Sequence, residues 1–143
     1  MSSKEWTAVV QLVTGAIVLV WLGQDFAANG LGTGDVSALA WRFLWITGTI
    51  IVLNIVGAIV VAILVTAVTR TEYRDEPADE RDDVIDARSS RIAYTVTSIL
   101  AAGTLFPLAF GFDPNWAVAM LFLAPLFGGL AHAAAQLVLY RMG

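Results

Sequence analysis

Four stretches without a charged side chain constrain this chain more than any other feature: Trp6 to Gln24 (19 residues), Phe43 to Thr69 (27), Ile92 to Phe112 (21) and Pro114 to Tyr140 (27, with His132 taken as neutral). Crossing a hydrocarbon core of about 30 Å takes about 20 predominantly apolar residues. A water-soluble bundle would need polar faces recurring near every 3.6 residues, and these windows are apolar all round. Composition agrees, with 58% hydrophobic and 14% charged residues, against about 45 to 50% and about 25% in globular chains. The expected fold is an all-α, integral membrane four-helix bundle in a single membrane domain, 1–143, with spans near 6–24, 41–69, 92–112 and 114–140. At 1.5 Å per residue the two longest windows make about 40 Å, so each tilts or projects beyond the hydrocarbon. The first window outlasts the apolar region of a secretion signal and no A-x-A site follows it, so it is expected to be a permanent span.

Four spans put both termini and the 70–91 segment on one side. That side carries Lys4, Arg70, Arg74, Arg81, Arg88, Arg91 and Arg141, and the other carries only Arg42. The positive-inside rule makes the richer side cytoplasmic, giving a multi-pass protein with both termini inside. On the far side, Asp35 or Ser37 is placed to cap span two, and Asp113 with Pro114 fits a helix start. The tight "GFDPNW" connection makes spans three and four an antiparallel hairpin. The Gly-rich "ANGLGTGD" lacks the lysine and preceding strand of a phosphate-binding loop. Trp6, Trp21, Trp41, Trp45 and Trp116 lie near span boundaries, as interfacial rings do.

The charge is concentrated in one segment. Between Arg70 and Arg91 stand eight acids and five arginines, and no opposite charges are spaced at i, i+3 or i, i+4. An ordinary solvated helix is laced by such pairs. Here Asp79, Asp82, Asp83 and Asp86 form one acidic stripe, while Arg81 and Arg88 recur on another. Past Pro77 the run has no helix breaker and is acidic first and basic last, as the helix dipole favours, so it is expected to continue into span three as a cytoplasmic helical extension. An acidic stripe calls for a cationic neighbour: arginines of another helix or subunit, a divalent metal, or a basic protein. Metal is the weaker choice, because the calcium-loop spacing is absent, and no metal or other cofactor is expected. Asp79, Arg81, Asp82, Asp83, Asp86, Arg88, Arg91 and Tyr94 are the candidate contacts to a partner or second subunit.

Asp79, Glu80, Arg81, Ile85, Arg88, Ser89, Arg91, Ile92, Ala93 and Tyr94 together resemble the D-E-R-x-x-x-I-x-x-[RK]-[SA]-x-x-I-[AG]-Y signature of an uncharacterised family of small bacterial four-helix inner-membrane proteins. The likeness covers about 16 residues and the hydropathy plan of the chain. It implies a bacterial inner-membrane regulator that binds a basic cytoplasmic DNA-binding protein, whose basic face an acidic helix would occupy. Direct nucleic-acid binding is not expected, since no basic patch is free of acids.

Polar groups within spans need partners. Gln11, Asn54, Ser98, His132 and Gln136 are the principal intramembrane polar residues. On span four Ala124, Gly128, His132, Gln136 and Tyr140 step by four, and Gly129 and Ala133 make a neighbouring small pair, so this face should pack closely on another helix. Two outcomes are open: an interhelical hydrogen-bond network joining His132 to Gln11, Asn54 or Gln136, or a cytoplasm-facing cavity in which His132 senses a proton or ligand. Pro125 is a candidate kink.

Catalysis is not expected. There is no cysteine nucleophile, no acid within a span, no paired metal-binding histidines and no G-x-S-x-G elbow. The expectation is a non-enzymatic regulator, sensor or partner-binding module, homo-oligomeric because four helices bury little alone, acting through 70–94 within the lipid bilayer. The alternative is a small channel or transporter with a polar path near Asn54, His132 and Gln136.

Overall fold

The structure, a computed structural model, describes residues 3–31, 35–69 and 80–142. Asp79, Pro77 and the rest of the 70–79 stretch lie outside the described residues, as do 32–34. Five helices follow in order: α1 Ser3–Asn29, α2 Val36–Thr69, α3 Glu80–Gly103, α4 Leu105–Ala109 and α5 Pro114–Met142. With α3 and α4 counted as one segment, four helical rods are long and apolar enough to cross a membrane.

The helix ends follow from local chemistry. Gly30 takes φ of 61°, and its N–H reaches the Phe26 carbonyl at 2.9 Å, which closes α1 with a left-handed residue that only glycine adopts cheaply. The Asp35 carboxylate accepts from the Ser37 and Ala38 amides at 3.0 and 3.2 Å and from the Ser37 hydroxyl at 2.7 Å, capping α2. The Ser37 hydroxyl and then the Ala38 amide hold that carboxyl below the usual carboxylate range. Pro107 has no N–H to offer Gly103, and the rod breaks at Thr104 between α3 and α4. A left-handed Gly111 then ends α4: the Phe112 N–H reaches Pro107 O at 2.9 Å and the Gly111 N–H reaches Leu108 O at 3.3 Å, the two bonds of a Schellman motif. Two residues later Asp113 accepts from the Asn115 amide at 2.9 Å and starts α5, with Pro114 at its first position.

The central rod is α5, against which each of the other helices packs; α1 also packs on α2, whereas α2 and α3 make no extended contact with each other. A core of Val18, Leu22, Leu39, Phe43, Ile46 and Ala119 joins α1, α2 and α5 toward the end that holds the 30–35 and 111–113 connections. Within it the Phe43 and Phe122 rings stack at 4.3 Å with 7° between planes, a geometry worth about 0.5 to 1.5 kcal/mol beyond burial. Below that core one side of α2 is left uncovered. Ile51, Ile55, Ile59 and Ile63, and beside them Val52, Val56, Val60 and Leu64, are all exposed. An apolar surface of this extent requires a covering of lipid or protein.

Candidate functional site

The longest helix interface is the antiparallel hairpin of α3 and α5, and it brings the two polar stripes of the sequence face to face. On α3, Ile85 and Ser89 are buried, and Asp82, Ala93 and Thr97 are half-buried on the same face. On α5 they meet Tyr140, Gln136, His132, Ala133 and Gly128. The Tyr140 hydroxyl donates to Asp82 Oδ1 at 2.8 Å. Gln136 Nε2 donates to Asp86 Oδ1 at 3.2 Å. His132 Nε2 stands 3.7 Å from the same Asp86 oxygen, an ion-pair distance rather than a hydrogen bond. Arg81 completes the set by donating to the Tyr140 backbone carbonyl at 3.4 Å, where the negative end of the α5 dipole favours a cation.

The acidic stripe therefore divides. Asp82 and Asp86 turn to α5, whereas Asp83, Arg88, Arg91 and Tyr94 are exposed on the outer face. The sequence called for a cationic neighbour; the observed partners of the inward pair include a phenol, an amide and an imidazole. Among the described residues no group of three or more His, Cys, Asp or Glu side chains is arranged to hold a metal.

Small residues make this closeness feasible. A Cβ added to Gly128 would lie 1.9 Å from Thr97 Oγ1 and 3.3 Å from the Ala93 carbonyl. Ala124 and Ala133 are buried in the same seam, and Ser89 is fully buried. The Ser89 hydroxyl is satisfied by its own helix, donating to Ile85 O at 2.9 Å and Asp86 O at 3.0 Å. Thr47, Thr49 and Thr95 likewise donate to the carbonyl four residues back, each at 2.9 Å. These four hydroxyls are thus accounted for locally and do not mark a network. Ser98 is exposed, and Thr97, beside it, is the residue that meets Gly128.

Gln11, Asn54 and His132 are gathered around one cavity of about 550 Å³ on the α5 surface. All four long helices contribute: Gly15 from α1, Thr47 and Ile50 from α2, Ala93 from α3, and Phe122, Pro125 and Gly129 from α5. Among the described residues no hydrogen bond joins these three polar side chains; Asn54 Nδ2 donates instead to Ile50 O at 2.9 Å. The adjacent glycines of α5 have different surroundings. Gly128 is pressed on α3, while a Cβ at Gly129 would meet nothing within 4 Å. His132 belongs to both features, lining the cavity and facing Asp86.

A second cavity, about 650 Å³, lies at the other end between Phe26, Leu31, Trp116 and Met120. The buried core with its Phe43–Phe122 stack separates the two. At this end Arg42 donates to the Asp25 carboxylate and to the Gly30 carbonyl at 3.1 Å, with its guanidinium carbon 5.7 Å from the Phe26 ring centre. No motif announces this clamp, since its partners come from opposite sides of the α1–α2 connection. No family model, curated protein or solved structure matches the chain.

Proposed function

We propose that this chain is a multi-pass protein of the bacterial inner membrane, with its termini and charged segment in the cytoplasm, and that it works as a non-enzymatic regulator or sensor. The observation that carries the proposal is the double position of His132 between a cavity and the charged arm. The uncovered apolar faces of α2 and the exposed Trp21, Trp41, Trp45 and Trp116 near one end support immersion in lipid. The unbroken α3 helix supports transmission, because whatever alters its seating on α5 moves Asp83, Arg88 and Arg91 as one body. The outer face of the arm is the output surface, offered to a cytoplasmic protein. Asp86 is 64% exposed on its side chain, so its contact with His132 is screened and weak. Weakness suits a contact that has to open.

A pore or carrier would need a continuous polar path, and the aromatic stack between the two cavities weighs against one within a single chain. The two roles separate in one experiment. A photo-crosslinking residue at Arg88 in intact cells is expected to give a discrete adduct with a cytoplasmic protein, altered in yield by Gly128→Leu. Only lipid or self adducts, together with solute flux in liposomes abolished by His132→Ala, would replace the regulator with the carrier.

A further inference from the structure

We propose that the cavity between α1, α2, α3 and α5 is a binding site for an uncharged lipophilic molecule with a single carbonyl or hydroxyl head, admitted sideways from the bilayer between α2 and α3. The proposal names a ligand class for the same sensor and rests on its membrane-spanning architecture.

Size is the first argument. About 550 Å³ falls within the roughly 300 to 1,000 Å³ usual for small-molecule sites. Charge is the second. No Asp, Glu, Lys or Arg lines the space, so an ion entering it would lose hydration without meeting a counter-charge. The walls are Ile50, Phe122, Leu126 and Leu130, to which an apolar body adds contact. The polar lining groups are neutral hydrogen-bonders: the amides of Gln11 and Asn54, the imidazole of His132 and the Thr47 hydroxyl. Thr47 donates to Phe43 O, and Asn54 uses one amide proton on Ile50 O, which leaves its other proton and its oxygen for a ligand.

Access is the third argument. Both α2 and α3 line the cavity and lie on α5 without extended contact with each other, so entry is assigned to the gap between them. In a bilayer that gap faces hydrocarbon, and the molecules concentrated there are lipophilic. A head that hydrogen-bonds to His132 competes with Asp86 for the same side chain, which ties occupancy to the seating of the arm.

The test uses the full chain in lipid nanodiscs, photolabelled with a medium-chain alkanol that carries a diazirine and, in parallel, with the matching diazirine alkane that lacks the hydroxyl. Alkanol adducts are expected on the Gln11, Thr47–Asn54 and Phe122–His132 segments, displaced by excess unlabelled alkanol. They should fall several-fold in Gly129→Leu, whose side chain fills the open space, and in Asn54→Leu, which removes only the polar head contact. The alkane should show no such selectivity. Labelling spread evenly along the exposed α2 residues, insensitive to both substitutions in chains of unchanged helix content, would overturn the site. So would protection of the gap by a second copy of the chain. Loss of cavity labelling beside an intact Arg88 adduct condemns the ligand site and leaves the output surface standing; the converse condemns the output surface alone.

Discussion

His132 Nε2 lies 3.7 Å from Asp86 Oδ1, although the two residues are 46 positions apart and on different helices. Around that contact the hydrogen bond from Gln136 to Asp86 and the one from Tyr140 to Asp82 clasp the start of α3 to the end of α5. The clasp is where the charged arm and the long apolar rods become one object.

Tyr140→Phe removes the donor to Asp82 and keeps the ring in place. A hydrogen bond to a carboxylate at a half-buried site is worth about 1 to 2 kcal/mol, so resistance to unfolding in mixed micelles should fall by about that amount. Hydrogen exchange should rise first at Asp82 to Ile85, and an unchanged exchange pattern there would show that the bond does not hold the arm.

The neighbouring glycines of α5 should respond in opposite ways. Gly128→Leu drives a side chain into Thr97 and the Ala93 backbone, and overpacking of this kind costs about 1 to 3 kcal/mol or separates the helices. Gly129→Leu meets open space and exchanges glycine for a better helix former, worth about 0.5 to 1 kcal/mol in its favour. Thermal unfolding in detergent, followed by circular dichroism, should therefore rank Gly129→Leu at or above the parent chain and Gly128→Leu below it.

Arg42→Lys keeps the charge and loses the fork that reaches Asp25 and the Gly30 carbonyl together. A point charge cannot hold both, and a loss of about 1 to 2 kcal/mol is expected. Spin labels on α1 and α2 at this end should report a looser connection. Equal stability of the two forms would show the clamp to be ornamental.

Asp35 gives a pH dependence with a definite sign. Its folded carboxyl sits below the ordinary range, chiefly because the Ser37 hydroxyl donates to it. Such a group adds stability that is fully present above the ordinary carboxylate range and is lost as pH falls through the lowered folded value. The start of α2 should fray only in acid, below about pH 4. In Ser37→Ala the Asp35 titration, followed by NMR, should move up toward the ordinary range.

Much of the fold was legible because long apolar helices declare themselves by length and absence of charge. The caps at Asp35 and Asp113 and the passage of the charged run into span three were legible for the same local reasons. The clasp was half legible. A tight turn centred on Gly111 sets residues equidistant from it opposite one another: Asp82 and Tyr140, Asp86 and Gln136, Ser89 and Ala133. The two stripes were visible separately, and joining them needed only the register of the hairpin. A cavity at His132 was one of two outcomes the sequence left open, and its walls were not legible, because they depend on how far α2 and α3 diverge over α5. Nor was the Arg42–Asp25 clamp, which depends on the path of the α1–α2 connection.

The seating of the arm is open to direct measurement by pulsed electron resonance between spin labels at Val84 and Val138, both exposed, in lipid nanodiscs. Expected is one narrow distance population in the parent chain, broadening toward longer distances when Asp82→Ala and Asp86→Ala are combined. A broad distribution in the parent, or an identical narrow one in the double variant, would contradict an arm held on α5 by its acidic side chains.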